Sequence, residues 1–90
     1  MNRPVRWTRR ALKRLDEIAA FIAEDNPTRA SSFVSELAEK VALLARHQLG
    51  RASQVYGAKE LVIHKHYVAV YRVKGDEVHI LTILHTAQQK

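Results

Sequence analysis

The chemistry this 90-residue chain can offer rests on five histidines, three tyrosines and fifteen Lys and Arg, because it has no cysteine. His85 closes the apolar run Val78-His79-Ile80-Leu81-Thr82-Ile83-Leu84, and an imidazole with an ordinary pKa of about 6.5 can take or give a proton near neutrality. A histidine at a strand end is more often structural, and that is the favoured reading. His64 and His66 flank Lys65 and point to one side of an extended segment. A metal would need a third and usually a fourth ligand, and no carboxylate or further histidine stands at a recognisable spacing, so no metal site is expected. Arg51, Lys59, Lys65 and Arg72 can form a basic patch on the sheet face away from the helices, suited to phosphate or to an acidic protein surface. The competing reading is a solvated strand face whose charge blocks edge pairing. Tyr67 and Tyr71 share a strand face and can stack on bases. Packing against the helices with the hydroxyls at the rim is the preferred alternative.

Ninety residues with 47% hydrophobic content support one core, so residues 1–90 read as a single domain with no deep interior cleft. Any catalysis must then sit on a surface. Without cysteine, disulfides and thiolate metal sites are excluded and nothing points to an oxidising compartment. No apolar run approaches the ~20 residues that span a bilayer, and the basic start Met1 to Arg14 lacks the apolar stretch of a secretory signal. A soluble cytoplasmic chain without a membrane partner is expected. The net charge of +6 is uneven. Arg3, Arg6, Arg9, Arg10, Lys13 and Arg14 face no acid in residues 1–15, whereas residues 16–40 carry Asp16, Glu17, Glu24, Asp25, Glu36 and Glu39 against Arg29 and Lys40. A basic start of this density suits a partner rich in phosphate or carboxylate.

The elements that must position these groups follow from periodicity. Val5-Arg6-Trp7-Thr8 alternates, and Pro4 places that short strand at an edge. Thr8 is a candidate N-cap for a first helix whose core stripe reads Leu12, Leu15, Ala19 and Ile22 until Asp25-Asn26-Pro27. Ile18 and Phe21 then lie on one flank and need cover from elsewhere. Asn26 and Pro27 start a second helix, with Ala30, Phe33, Val34, Leu37, Val41 and Leu44 in one stripe and Gly50 as a candidate stop. Residues 47–57 read as the one long loop. From Lys59 the period changes to β-branched and aromatic runs divided by His64-Lys65-His66 and Lys74-Gly75-Asp76-Glu77, a three-stranded meander whose last strand is internal. The fold class is α+β, ordered β-α-α-β-β-β, an antiparallel sheet with a helical hairpin on one face.

That order, with Leu49-Gly50-Arg51, Lys59-Glu60-Leu61-Val62, the run Val70-Tyr71-Arg72-Val73 and the strand ending Leu84-His85-Thr86-Ala87, resembles the RelE/ParE superfamily of bacterial toxins over nearly the whole chain. The resemblance implies a toxin of a type II toxin–antitoxin pair, held by a cognate antitoxin protein. Two activities share this scaffold. One branch, like RelE and YoeB, cuts messenger RNA on the ribosome without metal, which needs a base, an acid and a cation; His85, Arg72, Lys65 and Lys59 are the candidates here. In that branch an arginine early in the penultimate strand resembles the position of Val68, and valine can neither move a proton nor stabilise a phosphorane. The other branch, like ParE, poisons DNA gyrase by binding, and the strand pattern here is more similar to it. The expectation is therefore a ParE-like, binding-only toxin without cofactor, with antitoxin and DNA gyrase as partners and ribosome and mRNA as the alternative. The flank of Ile18 and Phe21, with Arg10 and Arg14 answering acidic groups, is the expected antitoxin site.

Overall fold

The computed structural model describes residues 4–45, 51–52, 57–64 and 66–86, with 51–52 described by their backbone alone. The chain runs β1 (Val5–Trp7), α1 (Arg9–Asp25), α2 (Pro27–Ala42), a 3₁₀ turn (Leu43–Ala45), β2 (Arg51–Ala52), β3 (Lys59–His64), β4 (Tyr67–Lys74) and β5 (Glu77–His85). One sheet of order β1-β5-β4-β3-β2 carries the helical hairpin on one face. The meander is antiparallel as its turns require, but β1 joins β5 in parallel, Val5 opposite Val78 and Trp7 opposite Ile80, so the sheet is mixed. The reason is α1–α2 itself: an up-and-down helical pair separates β1 from the meander and leaves its direction free. The segment expected as one long loop contains β2, which pairs with β3.

Both helix starts are local. The Thr8 hydroxyl accepts from the Ala11 amide at 3.2 Å, and the Asn26 side chain accepts from the Arg29 amide at 3.0 Å with Pro27 opening α2. Thr8 also donates its hydroxyl to the Ile80 carbonyl at 2.8 Å, which ties the start of α1 to β5. That tie sets the rotation of α1. Ala11 and Ile18 are buried, Leu15 and Ile22 pack against the core, and Leu12 is 47% exposed, so the core stripe lies one residue round from the expected one. Ala11 is favoured over Leu12 because a small side chain lets the clamped first turn lie close to the sheet.

β5 changes phase once. Val70 faces Thr82 and Tyr71 faces Ile80, leaving Leu81 unopposed in a bulge. Ile80 and Ile83 therefore both point into the core although they are three residues apart, which explains an apolar run that no single alternation fits. The β4–β5 turn is Gly75-Asp76, with Gly75 at φ +63, a left-handed conformation that favours glycine. Tyr71 is buried and Tyr67 half-buried on the helix side, the packed arrangement preferred above.

Candidate functional site

Arg14, Glu17, Ile18 and Phe21 recur at helical spacing on one flank of α1, and beneath them the start of β4 and the end of β5 bring up Tyr67 and His85. Together these six residues line an open hollow of about 390 Å³. Ile18, 2% exposed, is its floor and part of the core, not the uncovered flank residue expected from the helical wheel. Phe21, 68% exposed, forms its rim. Arg14 donates from Nε to the Ile83 carbonyl at 3.1 Å and lies 3.9 Å from Glu17, which holds the guanidinium against the sheet. Arg10 is exposed one turn earlier.

Below the hollow lies an aromatic chain. Tyr67 pairs with His85 across the sheet, their rings edge-on at 5.1 Å, and His66 stacks on His85 at 5.7 Å with planes 2° apart. The Thr86 amide donates to the His66 carbonyl at 2.8 Å, fastening the end of β5 to the β3–β4 turn. Phe33 of α2 meets both Tyr67 and His64 edge-on. His64 lies with Nε2 3.4 Å from Arg29 and Nδ1 facing the His66 amide, so a proton added to either nitrogen meets a donor. Burial, then the Arg29 charge, holds its pKa below the ordinary value. Among the described residues, no group of three or more His, Asp or Glu could hold a metal ion.

Of the expected basic patch, the two members whose side chains are described, Lys59 and Arg72, are not brought together. Lys59 pairs with Tyr71 on the helix side, while Arg72 comes one residue later on β4, opposite His79, on the other face. Adjacent strand residues point to opposite faces, so these two cations cannot share a surface across β3 and β4. Arg72 donates to the Gly57 carbonyl at 3.3 Å. Lys65 and the side chain of Arg51 lie outside the described residues. Nor does Arg72 reach His85: it stands five residues along β4 from Tyr67, the partner of His85, or about 16 Å. Lys59 is displaced by about 13 Å on the same reckoning. Val68 is completely buried.

One cluster escaped the sequence reading. On the outer face, Glu77 joins His79 at 2.9 Å and Arg6 at 3.4 Å, and the His79 hydrogen bond, then Arg6, keeps the Glu77 carboxyl below its usual range. Glu77 and His79 at alternate positions were a visible signal, but Arg6 enters only through the parallel β1–β5 pairing.

Residues 5–90 match the family model described as the ParE toxin of the type II toxin–antitoxin system parDE. The chain is 41% identical over 87 residues to Y4kP, a candidate toxin of Sinorhizobium fredii, covering 94% of this chain and 90% of that one. Among solved structures, a chain of the chromosomal ParDE system from P. aeruginosa superposes with a TM-score of 0.82 at 32% identity, covering 92% of this chain and 95% of that one. YafQ from E. coli shares the fold at 13% identity and a TM-score of 0.65, covering 94% of each chain. The match over nearly every residue, from β1 through the far end of β5, makes this chain a member of the ParE toxin family of type II toxin–antitoxin systems.

Proposed function

We propose that this toxin acts by binding, inhibiting DNA gyrase, and that a cognate antitoxin neutralises it by occupying the hollow between Arg14, Phe21 and His85. The observation that carries the binding-only reading is the separation of His85 from Arg72 and Lys59 by about 13–16 Å along the sheet. A phosphorane needs acid, base and cation within hydrogen-bond reach of one phosphate. The antitoxin reading rests on an exposed aromatic at the mouth of a hollow lined by Arg14, with Arg10 one helical turn earlier, where an amphipathic acidic helix finds both an anchor and counter-charges. The deciding experiment is expression without antitoxin, with DNA supercoiling and messenger cleavage followed in parallel. Growth arrest with inhibited supercoiling and intact messages is expected; cleaved messages with normal supercoiling overturn the proposal.

One observation favours a second reading, ribosome-dependent mRNA cleavage. His85, Tyr67, Arg14 and Glu17 share the hollow, so a proton-transfer group and a cation do meet there. The Arg14 guanidinium is, however, bound to the Ile83 carbonyl and Glu17.

A further inference from the structure

The first half of α1 carries Arg9, Arg10, Lys13 and Arg14 with no acid in its first turn, while all its acids, Asp16, Glu17, Glu24 and Asp25, come later. Arg14 is occupied by Ile83 and Glu17, and Arg6 by Glu77. Arg9, Arg10 and Lys13 are exposed and make no ion pair among the described residues. Cations here also oppose the helix dipole, so they weaken the element that bears them. The Thr8 cap occupies the Ala11 amide, and the Leu12 amide is bonded to the Thr8 carbonyl, so neither of these amides is open to a ligand and the side-chain cations carry the surface.

From this we infer that the face of Arg9, Arg10 and Lys13 binds the phosphate backbone of duplex DNA. Arg9 and Lys13 are one helical turn apart, about 6 Å along the axis, and Arg10 sits beside them, which lets three cations meet neighbouring phosphates of one strand. A protein partner would want an aromatic anchor within the charged ring. The exposed aromatic of α1, Phe21, lies instead about 12 Å beyond Lys13, in the half of the helix where Glu17, Glu24 and Asp25 lie. A single strand would want a stacking platform, and Trp7, the aromatic nearest in sequence, is packed against the core. What remains is charge around one exposed aliphatic side chain, Leu12, with neither an aromatic anchor nor a stacking surface, the arrangement that positions a protein on a duplex without reading its sequence.

The test is fluorescence anisotropy of the purified full chain with a labelled duplex and no gyrase or antitoxin present, so its result is independent of the supercoiling assay. Wild-type affinity should fall about fortyfold or more between about 50 and 200 mM salt, as expected for three phosphate contacts. The triple variant Arg9→Gln/Arg10→Gln/Lys13→Gln should lose about 2.7 from the log–log salt slope. Arg9→Lys/Arg10→Lys should keep the slope, and Lys40→Gln/Lys74→Gln, which removes two exposed cations elsewhere, should change it little. The inference is overturned by absence of duplex binding at about 50 mM salt or by a wild-type slope in the folded triple variant. Tighter binding to single strands than to duplex, or competition by polyglutamate equal to that of DNA, overturns it as well.

Discussion

Tyr67 stands edge-on to His85 across the β4–β5 pairing, ring centroids 5.1 Å apart and planes 85° apart. With His66 stacked on the same imidazole, His85 is held by two rings and the strand end it closes. It is thereby a wall of the hollow before it is anything else. Edge-on aromatic pairs contribute about 0.5–1.5 kcal/mol beyond the area they bury, so the arrangement has a structural use that needs no chemistry.

His85→Gln should accordingly leave toxicity within a few fold of wild type in cells expressing the toxin alone. Loss of a general acid or base costs about 10²–10⁴-fold, so a collapse of that size in a folded variant selects messenger cleavage.

Phe21→Ala should barely alter the fold, by less than about 0.5 kcal/mol in urea denaturation, because the ring is 68% exposed. Antitoxin affinity measured by calorimetry should weaken tenfold or more, each 1.4 kcal/mol being about a factor of ten. Unchanged affinity would remove the hollow from the antitoxin site.

Ile18→Ala should behave in the opposite way. A side chain 2% exposed in the core leaves a cavity when shortened, which costs about 2–5 kcal/mol of stability, readable as a lower urea midpoint.

Thr8→Ala removes both the cap on the Ala11 amide and the hydroxyl donated to the Ile80 carbonyl. A loss of about 1–3 kcal/mol is expected. Thr8→Ser retains both bonds and should recover most of it; equal losses in the two variants would mean that the methyl group, not the hydroxyl, holds α1 to β5.

The pH dependence of stability should carry a contribution from His64. Its folded pKa lies below the ordinary 6.5, so the unfolded chain takes up a proton that the folded one refuses, and stability falls as pH drops through about 6.5. Above that pH both states are neutral and the contribution to the slope vanishes. Denaturation of wild type and His64→Gln at pH 7.5 and 5.5 should show the smaller decline in the variant. Glu77 acts in a lower window: its depressed carboxyl stabilises the fold above its usual 4.5 and ceases to do so as pH falls below.

Helix starts, the Gly75 turn and the strands β1, β3, β4 and β5 were legible in the sequence because each depends on neighbours in the chain, whereas β2 exists only through its pairing with β3. Thr8 and Asn26-Pro27 satisfy amides three residues on, and Gly75 supplies the φ of a two-residue turn. The family pattern was legible for the same reason, being carried by short runs in order. Three matters were decided only by tertiary structure. The parallel entry of β1 beside β5 brought Arg6 to Glu77 across 71 residues. The rotation of α1 was set by the bond from Thr8 to Ile80, which buried Ile18 and exposed Leu12. The register of β3 on β4 placed Lys59 and Arg72 on opposite faces. A helical wheel has no zero until something outside the helix grips it, and a strand pattern has no absolute face until its neighbour's register is known. Spacing along the chain therefore names the residues that can do chemistry, and packing between distant segments decides which of them meet.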